Sequence, residues 1–228
     1  MHFLPTTSKD TSRGNSSLAQ RSPHLWSYVQ RFLGRDSWQF VDECFRFAIS
    51  RGGERERGFE RPDGMSYNPR PARVGVILLA QAGLKDPLAV ALAMMLSVDA
   101  QCEDVVCDFG SELGDLLVLA RSQPRVLELM CGEGIDGFNE SRQKSEDLYI
   151  AVTAVLAERL DFARHIHQMK FAPDNIAKGA LTKAPEEQPP LRHELYTHLA
   201  SYVALARTTN HQLAKSFNQW EKRFLAQS

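Results

Sequence analysis

The chain has 228 residues, 43% of them hydrophobic, and sets 27 basic against 28 acidic residues for a formal charge of −1. That length and apolar content suffice for one domain with its own core, and the charge balance leaves no global field for nucleic acid or an anionic membrane, so neither is expected as a partner. Cys44, Cys102, Cys107 and Cys131 form no C-x-x-C pair and no apolar run reaches membrane-spanning length, which predicts free thiols in a soluble, cytoplasmic protein.

Residues 1–23 are rich in Ser, Thr, Arg and Gly without an apolar period and read as a flexible tail ahead of one helical domain over 24–228. From His24, Leu25, Val29, Phe32 and Leu33 recur at helical spacing until Gly34. Ser37 is placed to cap a second helix, with Phe40, Val41, Cys44, Phe45 and Ala48 on one face and Gly52-Gly53 as its stop. Arg51 to Asp63 interleaves Glu54, Arg55, Glu56, Arg57, Glu60 and Arg61. Two readings of it stay open: a solvated loop of mixed sign, or an arginine-bearing edge of a phosphate site, because guanidinium groups match phosphate oxygens.

Arg73 to Leu84 is apolar nearly all round, as a helix buried on several sides should be, and Gly83 with Asp86-Pro87 supplies the stop and the next start. Leu88 to Val98 is then a second central helix, with Met94 and Met95 filling core, and Phe109 to Ala120 is an amphipathic one. Arg125 to Phe138 holds Gly132, Gly134 and Gly137 in G-x-G-x-x-G spacing after an apolar run and is read as a short helix and a glycine loop. The competing reading is a strand feeding a cofactor loop, similar to that of S-adenosylmethionine-dependent methyltransferases. Against it stand Met130 at the place of that loop's first glycine and the lack of strand-helix alternation elsewhere. Asp147 to Met169 reads as one long helix, Phe171 to Pro190 as a proline-bearing linker, and Leu191 to Phe224 as a closing helical segment. With no repeat and no strand pattern, the fold class is all-α.

Between Leu25 and Arg164 the chain contains no histidine, so no imidazole from that stretch can hold a metal or act as a base. His165 and His167 stand two apart on a helix and face different directions. Neither a Gly-x-Ser-x-Gly elbow nor a Cys/His arrangement offers another nucleophile.

The stretch FAISRGGERERGFERPDGMSYNPRPARVGVILLAQAGLKDPLAVALAMMLSVDA, followed by DFGSELGDLL and VLAERLDFARHIH, resembles the HD-domain alarmone hydrolases of the RelA/SpoT type. The likeness covers roughly residues 38 to 170 and lies in the order and spacing of the parts. It implies an HD-domain-like multi-helix bundle whose central helices converge on a divalent metal. Set against that family, Arg70 stands at the histidine ahead of Pro71, Tyr67 keeps the tyrosine three places earlier, and Leu96 and Ser97 replace the His-Asp pair. The acidic pair falls near Ala100 and Gln101, with Asp99 the nearest carboxylate, and the late aspartate is Glu158. A single Glu158 beside Arg70 is expected to form an ion pair rather than hold a metal.

The resemblance therefore implies a catalytically inactive pseudo-phosphohydrolase with its metal site lost and no cofactor. Its vestigial pocket would be formed by Arg57, Tyr67, Arg70, Ser97, Glu158 and Arg159 and would bind a phosphorylated nucleotide. A protein partner is the other expectation, docking on Tyr202, Phe217, Trp220 and Phe224 if that stripe is exposed. The alternatives are a divergent, still-active nucleotide phosphohydrolase and a methyltransferase using the 132–137 glycine loop.

Overall fold

The computed structural model describes residues 18–56, 69–98, 100–122, 142–165 and 189–226. Helices supply all the regular structure among the described residues, with no strand, in agreement with the all-α pattern. No described helix is long and apolar enough to cross a membrane.

Order begins earlier than composition suggests. Leu18–Arg21 forms a helical turn, α1, in which Leu18 is fully buried and its N–H donates to Asp42 Oδ1 at 2.6 Å. One apolar side chain and one carboxylate tie this turn down inside the stretch predicted as a tail; residues 1–17 of that stretch lie outside the described residues. Helix α2, Pro23–Phe32, starts on Ser22, whose Oγ accepts the Leu25 N–H, with proline preset in the first turn. Helix α3, Asp36–Glu56, begins one residue before the predicted cap Ser37 and runs on through Gly52-Gly53. Just before the glycines, Arg51 pairs with Asp104 at 3.0 Å and lies 5.3 Å over the Phe47 ring.

The central helix α4 occupies Arg70–Val76 and continues without a break as a π-helical segment, Ile77–Ala82. In this register the Gly83 N–H donates to the carbonyl of Leu78, and Gly83, at φ +72°, ends the segment in the left-handed region open to glycine. The wider turn buries Ile77, Leu78 and Leu79 in succession, which matches the all-round apolar pattern. Helix α5, Pro87–Val98, is capped by Asp86, whose Oδ1 accepts the N–H groups of Leu88 and Ala89 at 2.7 and 3.1 Å. Every residue from Ala89 to Met95 is buried, the two methionines among them.

A helix the pattern did not predict follows: α6, Cys102–Phe109. Gly110, at φ +92°, turns the chain into α7, Ser111–Arg121, so the expected helix from Phe109 starts two residues later. The two cross closely, since a Cβ on Gly114 would lie 2.2 Å from Val106 Cγ2. Arg121 closes the α5–α6 connection by donating to the Ala100 carbonyl. The glycine stretch 125–138 lies outside the described residues.

Helix α8, Arg142–His165, packs against α4, the π segment, α5 and α7. The closing segment is two helices, α9 (Pro189–Thr209) and α10 (His211–Ala226), both packed on α8. Asn210 makes the break: its Oδ1 accepts the N–H groups of Gln212 and Leu213, and its Nδ2 donates to the Ala82 carbonyl at 3.0 Å and Tyr149 Oη at 3.2 Å. One buried amide thus caps α10 and ties it to the π segment and α8. The stripe offered as partner anchors is instead interior: Tyr202, Phe217, Trp220 and Phe224 are all buried within the chain. Apolar area of that size, removed from water, stabilises the fold and is not exposed for docking.

Candidate functional site

Helix α4 sets Arg70 and Arg73 three residues apart, and α8 sets Glu158 and Asp161 at the same interval. Three residues is nearly one turn, so each helix presents two like charges on one face, and the two faces meet. Arg73 grips Asp161 in a two-point fork, Nε to Oδ1 at 2.9 Å and Nη2 to Oδ2 at 3.0 Å. Arg70 donates to Glu158 Oε1 and also lies 3.8 Å from Asp161 Oδ2. On the other side of Glu158, Arg159 Nε stands 3.3 Å from Oε2, while its guanidinium lies 5.4 Å over the ring of Tyr202 on α9.

The cluster is buried on its acidic side and open on its basic side. Asp161 is 1% exposed, whereas the side chains of Arg70 and Arg159 keep 30% and 26% of their surface. Solvent therefore reaches the two outer guanidiniums and not the Asp161 carboxylate. Farther along α8, the Arg164 guanidinium has its pKa lowered by burial and by Arg223, against the opposing pull of Asp161.

Of the residues picked out in the sequence, Arg70, Glu158 and Arg159 come together. Ser97 is buried near the end of α5, a helix packed on both α4 and α8, but its Oγ donates to the Met94 carbonyl at 2.7 Å and so is spent on its own helix. Arg57, Tyr67 and Asp99 lie outside the described residues, as do the side chains of His165 and His167. Sequence reading missed Arg73 and Asp161, and it gave Tyr202 another role, as an anchor for a partner. The matched three-residue spacing of Arg70/Arg73 and Glu158/Asp161, on helices otherwise predicted as buried, was the signal available for the first two.

Among the described residues no group of three or more His, Cys, Asp or Glu is arranged to hold a metal ion. Cys44 is buried, and that burial pushes its thiol pKa upward, away from the reactive thiolate. Comparison with protein-family models, with curated proteins and with solved structures finds no match to this chain.

Proposed function

We propose that the chain is a catalytically inactive HD-type protein of the RelA/SpoT-like kind, a pseudo-phosphohydrolase that acts by binding a phosphorylated nucleotide. The observation that supports it most is the pairing of Arg70 with Glu158, residues 88 apart in the chain. These are two positions that the resemblance assigns to ligands of one metal, and here they meet each other. A guanidinium is permanently charged and donates only, so it cannot ligate a cation, yet it supplies the positive charge that Glu158 would otherwise draw from one. Leu96 and Ser97, at the place of the His-Asp pair, supply neither an imidazole nor a carboxylate; Leu96 has no ligand atom, and Ser97 is buried with its hydroxyl donating to the Met94 carbonyl. The described residues at these positions do not fit a divalent metal.

Binding chemistry survives that loss. Arg70 and Arg159 flank Glu158 with side chains that are partly open to solvent, and the second lies over the Tyr202 ring. Such a pair suits the oxygens of a phosphoryl group, which accept hydrogen bonds in the geometry of the guanidinium fork. Calorimetric titration of the full chain with guanosine tetraphosphate, and with guanosine di- and triphosphate, tests this. Saturable binding is expected, weakened at least tenfold in Arg159→Met, with no phosphate released when Mn²⁺ is added. Absence of both heat and thermal shift removes the ligand, and metal-dependent phosphate release removes the inactive reading.

A further inference from the structure

Away from the arginine cluster, the surface carries two patches of opposite sign built to a common plan. The first lies on α2 and the turn before α5. Tyr28 and Phe32 stack with ring centroids 5.9 Å apart, and the Phe32 ring is approached by two cations, the Arg31 guanidinium at 5.3 Å and Lys85 Nζ at 5.0 Å. Both cations are exposed, and among the described residues neither lies within ion-pair distance of a carboxylate. Arg35, also exposed, follows in the next turn of chain. The patch has a half-buried aromatic centre, packed against the core, and a basic rim.

The second lies on the α6–α7 hairpin. Val106 and Val118 are 43% and 56% exposed, among the few large apolar side chains left in solvent. They adjoin one another: Val106 covers Gly114, and Gly114 and Val118 share a face of α7 as residues four apart. Glu103 and Asp115 each precede one of these valines by three residues and so share its face, while Asp108 and Glu112 lie elsewhere on the hairpin; all four are exposed and none is in an ion pair among the described residues, whereas Asp104 is engaged by Arg51. This patch has an apolar centre and an acidic rim. A small apolar centre inside a charged rim is the anatomy of a protein interface, and the two rims are electrostatic complements.

Helix α3 stands between the patches within one molecule. Trp38 faces α2, packing on Trp26 with centroids 5.5 Å apart, whereas Phe40 and Phe47 meet Phe109 of the hairpin edge-on at 6.2 and 5.3 Å. Trp38 and Phe40 are two residues apart and so point about 200° from one another around the helix. We infer that the basic-aromatic patch of one copy docks on the acidic hairpin of a second copy, a head-to-tail contact between identical chains. Because the contact joins two different surfaces, a bound pair leaves one patch of each kind free, and the contact propagates into a ring or an open chain.

Sedimentation velocity of the full chain over a wide concentration range, at low and high NaCl, tests this. Concentration-dependent association is expected, and it should weaken at least tenfold in high salt, where the rims are screened. The Arg31→Glu/Lys85→Glu variant, with two acidic patches, and the Glu103→Lys/Asp115→Lys variant, with two basic ones, should each remain monomeric. Mixed in equal amounts they should associate again, since each junction then regains opposite charges. That rescue cannot come from a folding defect, and circular dichroism checks that each variant keeps its helices. A wild-type chain that stays monomeric throughout overturns the inference, as does association unaffected by salt or a mixture that fails to associate.

Discussion

Asp161 has both carboxylate oxygens on Arg73 and almost no contact with solvent. Taking that charge out of water costs several kcal/mol, which the fork offsets only while it is intact. Arg73→Ala should therefore destabilise the fold by about 3 kcal/mol, while the double substitution Arg73→Met with Asp161→Leu should recover most of the loss, because no charge is then left stranded. Urea unfolding of the three chains checks the order. Thr153 presents the opposite case: it is fully buried and its Oγ1 has no hydrogen-bond partner. Thr153→Val keeps the shape and removes the desolvated hydroxyl, so the urea midpoint should rise at unchanged slope, by about 1 kcal/mol.

Among the elements, the helices with strong apolar periods were legible in the sequence, and their ends were not. Helices α2, α5 and α8 stand close to their predicted places because burial of Leu25 and Val29, of Ala89 to Met95, and of Ala151 to Ala157 is written as spacing. Helix α6 was missed because only Val105 of its eight residues is buried, although Glu103 and Asp104 in the first turn are a helix-start signal. The break at Asn210 was missed for another reason: it depends on Ala82 and Tyr149, which no local window contains. In the candidate site the same limit applies. Arg70, Glu158 and Arg159 were found by resemblance, whereas Tyr202 enters only because α9 folds back on α8. That α9–α10 pair also has a titratable clasp. The Tyr196 hydroxyl donates to Glu221 Oε1 at 2.9 Å, and this bond, then burial and the Glu221 charge, raise its pKa above the usual value near 10. The folded state holds that proton longer than the unfolded chain, so the stabilisation is complete below about pH 10 and is lost as pH rises through the folded value. Thermal midpoints between about pH 9 and 11 should fall less steeply in Tyr196→Phe than in the wild type.

The whole molecule is held at two distant ends of one central rod. At the near end, α4 is fixed to α8 through Arg70 and Arg73; at the far end, the Ala82 carbonyl is fixed to Asn210. Between them the helix changes register at Ile77, and that change works as an indexing device. It sets the rotational phase of the two arginines relative to the Asn210 anchor, independently of how well either end binds. Deleting the exposed Ala80 should convert the π turn to an ordinary α turn and swing Arg70 and Arg73 by about 100° away from Glu158 and Asp161 while the far end stays in place. The expected result is a larger drop in thermal midpoint than Arg73→Ala produces, with both ion pairs lost together. An unchanged midpoint would mean that the rod can be re-phased freely. A one-residue change in chain length, far from any charge, is thus predicted to disassemble the arginine cluster as a unit.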